Sequence, residues 1–508
     1  MGYNGRDNKL EIIETIDVGK KGKVAVMELK RANYSETKLY PERILQFGEG
    51  NFLRAFADWA IHRMNKEADF DAGVVVVGPR GNDKVYRIND QDGLYTLQIN
   101  GIDKGQLIEE TMVIDAITRA FHTHKDYDEY LKTAENPDMR FIISNTTEAG
   151  ISFAKEDRLE DRPQSSFPGK LTAWLYHRYK TFNGDRSKGV FVLPCELIDR
   201  NGEQLRAIVL DYAKLWALEE DFSNWIEEGS VFYNTLVDRI VPGFPKETAE
   251  ETFRKLGYED SYLVGAEWFH LWVIEGPRDI VKEFPSEKLG LNILFVDDLT
   301  AYRERKVRIL NGAHTSMVPV AYLYGIDTVR EAVEDEVVGG YIESLIIDEI
   351  IPTLDLEEEE LKDFAASVLD RFRNPFIKHY LISISLNSMS KFKTRVLPSL
   401  LEFVERKGRL PEKMVFSLAS LIYFYKGDRD GEKIALSDDS QYLELYEKLW
   451  KDYDGSRAGL EHLVGEVLAL EELWELDLNS IEGLKKKLVD YLELIDGKGM
   501  KLALEEIN

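Results

Sequence analysis

The sequence has almost no cysteine and no long hydrophobic run, and each absence excludes a class of protein. Cys195 is the single cysteine among 508 residues, so no disulfide can form within the chain and no cysteine-based zinc site is expected. No apolar run approaches the roughly 20 residues of a membrane-spanning helix. The polar start of the chain lacks the apolar centre of a signal peptide. We therefore expect a cytoplasmic protein with no membrane partner.

Positive charge is also scarce. The chain has 65 lysines and arginines against 92 acidic residues, a net charge of −27 at pH 7. Such a surface repels a phosphate backbone, so nucleic acid is not an expected partner, and a small anionic ligand would need a basic pocket of its own. The length and the 44% hydrophobic content predict two large globular domains.

A strand, a glycine turn and a helix are predicted over residues 42–63. A short apolar strand leads into Gly48-x-Gly50, and the apolar residues that follow recur at helical spacing. In a Rossmann unit the first glycine permits the tight turn and the second lets the backbone approach a pyrophosphate. Leu53 stands where the third glycine is usual, so an ordinary strand-turn-helix is the alternative. The dinucleotide-binding residues predicted here are Gly48, Gly50, Asn51, Phe52 and Arg54.

The next two predicted strands bear on the choice of cofactor. The strand predicted over 71–80 ends in Gly78-Pro79-Arg80, where an acidic residue would select NAD, so NADP stays open. The strand predicted over 139–148 ends in small polar residues that would line the ligand crevice and meet the nicotinamide or its ribose. A helix-capping turn is the alternative for them. These residues are Ser144, Asn145 and Thr146.

Strand-like runs continue to residue 297, and helical periodicity follows. The pattern predicts an α/β protein with a Rossmann-type domain over 37–297 and a mainly α-helical domain over 298–508. Residues 1–36 are expected to form an extension or edge element. The pair His122-x-His124 lacks further ligands at sensible spacing, so no metal site is predicted.

The first helix of the second domain carries Lys306, Asn311 and His314. At 100° per residue, Asn311 falls about 140° and His314 about 80° around from Lys306, so an amine, an amide and an imidazole share one arc. That trio suits proton transfer to or from an alcohol while a cofactor carries the hydride. The alternative is a solvated helix face that ends at Asn-Gly.

Together these motifs resemble the long-chain, zinc-independent polyol dehydrogenases of the mannitol dehydrogenase family. The resemblance rests on 47–55, 237–240, 297–298 and the lysine trio. It implies NAD as cofactor, with Asp238 in the cofactor site, and hydride transfer without a metal. It also implies that Lys306 is the general acid and base, and that Asn311 and His314 hold the reacting oxygen. We expect burial and Arg303, Arg305 and Arg308 to lower the pKa of Lys306.

Segments 144–152, 194–198 and 373–379 resemble a branch of this family whose substrates are sugar acids. One departure from the mannitol-type pattern is that Leu197, and not asparagine, follows Glu196, so Asn311 and His314 must hold the oxygen without that amide. Two alternatives stay open: a sister activity on another ketose, and a dinucleotide sensor without turnover. The candidates for binding the substrate and its carboxylate are Asn374, Lys378, His379 and Lys391, with a solvated surface as the alternative for the lysines.

Overall fold

The computed structural model of the protein describes most of the chain. The parts of the chain that lie outside the described residues include 1–26, Arg80 and 147–149. The prediction that Arg80 leaves NADP open as cofactor, and most of the N-terminal extension, therefore lie outside them as well. The described ranges are 27–34, 36–78, 83–146, 150–429 and 431–508.

A six-stranded parallel sheet forms the centre of the N-terminal half. Numbered along the chain, its strands lie in the order 3-2-1-4-5-6. This is the doubly wound order of a dinucleotide-binding fold, and it confirms the predicted Rossmann-type architecture. In chain order the strands are Glu42–Phe47, Gly73–Gly78, Ile117–His122, Phe141–Ser144, Phe191–Pro194 and Val231–Phe232.

Helices cover both faces of this sheet because its strands are apolar on both sides. In the strand Gly73–Gly78 every residue is buried. Val74 and Val76 join the core on one face, whereas Val75 and Val77 join the core on the other. Continuous apolar strands of this kind are stable only between two layers. The helices of this half are Asn51–Ala55, Ala57–Glu67, Arg87–Asp90, Tyr127–Lys132, Phe167–Thr181, Asn201–Leu215, Glu220–Gly229 and Ala249–Leu256.

Smaller sheets complete this half. The strand Met27–Glu28 pairs in parallel with Tyr258–Glu259, and Leu29 packs beside it. The role of the whole segment 1–36 as an extension stays a prediction. One three-stranded sheet contains Tyr95–Asp103, Gln106–Ile114 and Val264–Glu267, and the other contains Asn234–Asp238, Leu271–Glu275 and Ile293–Val296.

The C-terminal half is mainly helical, as predicted. Its buried side chains, from Ile309 to Leu504, form one continuous core, and one two-stranded hairpin, Asp428–Arg429 with Glu432–Lys433, lies among its described residues. No helix in the described part of the chain has the length and apolar character needed to cross a membrane. The helices are Thr300–Arg305, Lys306–Gly312, Ala313–Tyr324, Val329–Glu334, Glu336–Ser344, Leu345–Ile350, Glu358–Phe372, Leu381–Ile384, Ser388–Arg395, Leu397–Lys407, Glu412–Phe424, Ser440–Asp452, Arg457–Leu468, Glu471–Trp474, Leu484–Lys498 and Met500–Ile507.

The first three of these helices follow one another without a break, and we call them the lysine helix. The predicted helix is confirmed, but the α-helical geometry assumed for it is wrong over Lys306–Gly312, which forms a π-helix. The i→i+5 bonds of a π-helix place residue i+5 about one turn further along. Asn311 therefore lies closer in direction to Lys306 than the 140° of an α-helix. π-Helical turns are rare and occur frequently at functional sites.

Candidate active site

Lys306 lies where the two halves of the protein meet. Its Nζ donates a hydrogen bond of 2.8 Å to the carbonyl oxygen of Val237 and lies 3.7 Å from Oδ1 of Asp238. Both partners end the strand Asn234–Asp238 of the N-terminal half. The lysine side chain is 14% exposed, so it is largely buried between the domains.

A buried arginine holds the carboxylate beside Lys306. Arg371 donates two hydrogen bonds of 3.0 Å to the two oxygens of Asp238, and bonds of 3.0 and 2.9 Å to the two oxygens of Glu267. Burial alone would lower the pKa of Arg371, but the two carboxylates raise it above its usual value. We call Asp238, Glu267 and Arg371 the arginine clamp. It joins two strand ends of the first half to the helix Glu358–Phe372 of the second.

The pKa of Lys306 is lowered, mainly by burial. The charge of Arg371 lowers it further, whereas Asp238 raises it. The expectation that the arginines of the same helix lower the pKa of Lys306 is wrong, because their side chains contact other residues. Arg303 pairs with Asp199, Arg305 pairs with Glu360 and Arg308 bonds the hydroxyl of Ser399.

His314 presents an unused nitrogen to the same region. The residue is 8% exposed, and its buried Nε2 has no hydrogen-bond partner among the described residues. Its ring stacks on Phe372 at 4.3 Å between centroids, and the ring of His379 meets it edge-on at 5.1 Å. Burial, followed by the charges of His379, Arg371 and Arg395, lowers its pKa well below the usual value. His314 is therefore a neutral imidazole.

The structure brings the three predicted catalytic residues into one electrostatic environment. Arg371 and Asp238 influence the pKa of both Lys306 and His314, and Phe372, next to Arg371 in the chain, stacks on His314. Asn311 follows Lys306 by one π-turn, and its side chain is partly exposed. That an ammonium, an amide and an imidazole address one oxygen atom stays a prediction.

The glycine loop has the geometry that a dinucleotide requires. Gly48 has φ of +123°, and a Cβ there would lie 3.1 Å from the carbonyl oxygen of Asn145 and 3.3 Å from Leu53. A Cβ on Gly50 would meet no atom within 4 Å. Gly50 is the N-cap of the helix Asn51–Ala55. Open space therefore lies in front of the free N–H groups at the start of that helix. These residues fit a pyrophosphate.

Arg54 has a different position from the one predicted. It is 4% exposed and donates to Oδ1 of Asn51 at 2.6 Å and to the carbonyl oxygen of Tyr262. Its guanidinium therefore stabilises the loop from the interior of the protein. The aromatic rings of Tyr95 and Tyr262 flank the guanidinium. Phe52, also predicted at the cofactor, stacks on Phe56 at 4.9 Å.

The polar residues at the end of the fourth sheet strand hold a buried carboxylate. Glu196, 3% exposed, accepts bonds of 3.0 Å from the hydroxyl of Ser144 and from both the backbone N–H and the hydroxyl of Thr146. Asn145 donates to the carbonyl oxygen of Cys195 at 2.6 Å. Burial raises the pKa of Glu196 although these bonds oppose the shift. The predicted cofactor ligands thus have their side chains already engaged.

The four substrate candidates lie in different surroundings. Asn374 is buried, accepts from the N–H of Phe376 at 3.0 Å and donates to the Asn100 carbonyl, so its amide stabilises a turn. Lys378 is exposed. His379 contacts His314, and Lys391 is partly buried with its Nζ bonded to the carbonyl oxygen of Ile384 at 2.8 Å.

Three residues at the site were not found from the sequence: Glu267, Arg371 and Arg395. Arg371 stands two residues before the segment 373–379 that carries the resemblance, and this was the available signal. Asp238, predicted at the cofactor, instead has both oxygens bound by Arg371 beside Lys306. The described residues contain no cluster of three or more potential metal ligands.

The sheet order, the glycine loop and a buried lysine at the domain junction define a dinucleotide-dependent dehydrogenase. The comparison with family models agrees. The Mannitol dehydrogenase Rossmann domain matches residues 42–287, and the Mannitol dehydrogenase C-terminal domain matches residues 298–496. The chain belongs to the mannitol dehydrogenase family.

One curated relative is similar along almost its whole length, and two solved structures share the fold. The altronate oxidoreductase of Bacillus subtilis is 51% identical, over 95% of this chain and 98% of the relative. A substrate-free D-sorbitol dehydrogenase has a TM-score of 0.78 at 24% identity, covering 94% of this chain and 100% of that one. The Pseudomonas fluorescens mannitol 2-dehydrogenase, in a complex with NAD and D-mannitol, has a TM-score of 0.65 at 23% identity, covering 95% and 99%.

Proposed function

We propose that the protein catalyses the reversible, NAD-dependent interconversion of D-tagaturonate and D-altronate, in hexuronate breakdown in the cytoplasm. The observation that carries the proposal is Lys306, a buried amine with a lowered pKa at the domain junction, bonded to the Val237 carbonyl oxygen beside Asp238. The 51% identity to an altronate oxidoreductase supports the choice of substrate.

Lys306 is the general acid of reduction and the general base of oxidation. The bound nicotinamide supplies a hydride to the ketone carbon next to the terminal CH2OH. Nζ of Lys306 gives its proton to the carbonyl oxygen, and in the reverse direction it takes the proton of the hydroxyl. A lowered pKa favours both transfers near neutral pH. The N–H groups of Asn311 and His314 donate to the same oxygen as negative charge develops on it.

The arginine clamp keeps Lys306 in position. The Val237 carbonyl and the Asp238 carboxylate fix its amine, and Arg371 holds that carboxylate in its ionised form by lowering its pKa against the effect of burial. We assign Asp238 to this positioning role in place of the cofactor contact that the resemblance implied. Asp238 therefore orients the lysine without taking its proton.

The N-terminal half holds the cofactor in this proposal. Residues 37–297 form the dinucleotide domain and 298–508 the substrate domain. Gly48 and Gly50 let the backbone approach the pyrophosphate, with Asn51 and Phe52 at the start of the following helix. Ser144, Asn145 and Thr146 contribute the floor of the crevice through their backbone. The reaction needs no metal.

The test is the loss of nicotinamide absorbance when D-tagaturonate, D-fructuronate or D-fructose is offered separately with NADH or NADPH. We expect turnover of D-tagaturonate with NADH. Lys306→Ala should lower kcat by about 10²- to 10⁴-fold, the usual contribution of a general acid, without changing NADH binding.

The other outcomes identify the alternatives. Turnover mainly of D-fructuronate or D-fructose would keep the family and reject the substrate. Turnover of none of the three, with NADH still bound, would favour a dinucleotide sensor. Full activity of Lys306→Ala would reject the mechanism alone.

A further inference from the structure

A guanidinium without a counter-ion among the described residues lies beside the proposed active site. Arg395 ends the helix Ser388–Arg395 and is partly buried. Burial lowers its pKa, and no carboxylate opposes that effect. Within the described residues its side chain makes neither an ion pair nor a hydrogen bond.

The helix turns Arg395 towards the lysine helix. Ser388, Met389 and Phe392 form the buried face of the helix Ser388–Arg395. Arg395 follows Phe392 by three residues and Ser388 by seven, so it belongs to the same face. At this face the helices touch, because a Cβ on Gly312 would lie only 3.0 Å from the Arg395 carbonyl oxygen. The charge of Arg395 also lowers the pKa of His314.

Two basic residues nearby, Lys393 and Arg371, already have acidic partners. Lys393, two residues earlier on the outer face, pairs with Glu475 at 2.5 Å. Arg371 is held between two carboxylates. In a chain with 92 acidic and 65 basic residues, a partly buried arginine with no partner points to an anion that comes from outside the chain.

We propose that Arg395 binds the carboxylate of the sugar acid and thereby selects acids over neutral ketoses. Its planar N–H fork matches a carboxylate in two parallel hydrogen bonds. Lys391, one turn earlier on the same face, adds a second positive charge to this end of the site. The inference rests on the proposed function, because it needs a substrate with a carboxylate at the end remote from the ketone.

The experiment compares an acid with its uncharged counterpart. The wild type, Arg395→Gln, Arg395→Lys and the control Lys393→Gln are assayed with D-tagaturonate and with D-tagatose, which has CH2OH in place of the carboxylate. D-tagatose is measured both as substrate and as competitive inhibitor. The pair D-fructuronate and D-fructose is treated in the same way, and NADH affinity is measured by fluorescence.

We expect Arg395→Gln to raise KM for the acid by about 10- to 100-fold, the size of a charge-assisted hydrogen-bonded pair, with little change in kcat. The constants for the neutral ketose and for NADH should not change. Arg395→Lys should fall between Arg395→Gln and the wild type, and Lys393→Gln should match the wild type. A purely structural role for Arg395 would affect acid and ketose alike.

Two results would overturn the inference: an unchanged KM for the acid in Arg395→Gln, or an equal loss for the acid and the neutral ketose. A wild type that turns over D-fructuronate instead of D-tagaturonate would reject the proposed function, and Arg395 would then be tested on that acid. A wild type that uses neutral ketoses alone would reject both.

Discussion

At the scale of single residues, charges that oppose one another surround Lys306, the proposed general acid and base. Burial and Arg371 lower its pKa, whereas Asp238 raises it. A lysine in water has a pKa near 10.4, too high for efficient proton exchange at neutral pH. Burial therefore has the largest effect on the pKa of Lys306, and the opposing charges of Asp238 and Arg371 have the next largest.

Asp238→Asn should shift the pH dependence of reduction towards lower pH. Reduction needs protonated Lys306, so its rate falls as pH rises through the pKa of that amine. Removing the carboxylate that raises this pKa should move the fall to lower pH. The measurement is kcat/KM for NADH-dependent reduction against pH, with the exposed Asp355→Asn as control. An unshifted limb would show that Asp238 does not act on Lys306.

Asp58 is the buried carboxyl behind the glycine loop. It is fully buried, and burial raises its pKa to about 7, although a hydrogen bond from Gln46 opposes the shift. Nε2 of Gln46 also donates to the Gly48 carbonyl at 3.2 Å. Oδ1 of Asp58 and Oε1 of Gln46 have no partner among the described residues. The unfolded carboxyl ionises near pH 4, so the folded state keeps a proton that the unfolded state loses.

Asp58→Asn should therefore stabilise the protein above pH 7 and leave it unchanged below about pH 4. In the wild type, ionisation of Asp58 makes the free energy of unfolding fall between pH 4 and 7. The fall is about 4 kcal/mol, because the pKa of this carboxyl differs by about 3 between the folded and unfolded states. An asparagine amide cannot ionise and can donate to Oε1 of Gln46. Denaturant unfolding of both proteins at pH 4, 6 and 8 measures this difference. A constant difference across that range would contradict the assignment.

At the scale of elements, two glycines of one loop have different tasks. Gly48 has a positive φ and contacts Asn145 and Leu53, whereas Gly50 has φ of −65° and faces open space. The first glycine is thus required by the fold, and the second by what approaches the loop.

Gly48→Ala should lower stability by about 1 to 3 kcal/mol, because the backbone conformation is strained for alanine. Gly50→Ala should change stability by less than about 1 kcal/mol, yet weaken NADH binding about tenfold or more, since its Cβ would fill the space that the pyrophosphate needs. Thermal unfolding and NADH titration of the two variants form a matched pair. Unchanged NADH affinity in Gly50→Ala would reject this cofactor position.

At the scale of the whole molecule, the arginine clamp joins the two halves. Its carboxylates end strands of the first half, and Arg371 comes from a helix of the second. Asp370, next to it, accepts a bond of 3.3 Å from the backbone N–H of Gly105 in the first half. The proposed active site thus exists only while the halves are docked.

Arg371→Gln should lower the free energy of unfolding by about 3 to 5 kcal/mol, because it leaves two buried carboxylates without their cation. It should also abolish most activity, since Asp238 would no longer hold Lys306. Calorimetry should show a lower transition temperature. The control is Arg406→Gln, an exposed arginine paired with Glu402 and Asp355, for which a loss below about 1 kcal/mol is expected. Equal losses in the two variants would contradict the role of the clamp.

The sequence by itself determined the local parts of this protein. The continuous valines of 74–77, the Gly48-x-Gly50 turn and the helical periodicity after residue 299 predict the strands, the loop and the helical half, because each depends on neighbouring residues. The trio of Lys306, Asn311 and His314 could also be predicted, from its spacing and from the family resemblance.

Only the tertiary structure decided how these parts meet. The π-helical register of Lys306–Gly312, the inward turn of Arg54 and the four bonds of Arg371 depend on residues far apart in the chain, up to 208 positions for Arg54 and Tyr262. The three arginines near Lys306 in sequence contact other residues, and the positive charge that lowers its pKa comes from Arg371 on a distant helix. Charge acts through space, and packing decides which charges share a space, so the electrostatics of the site follow from the fold.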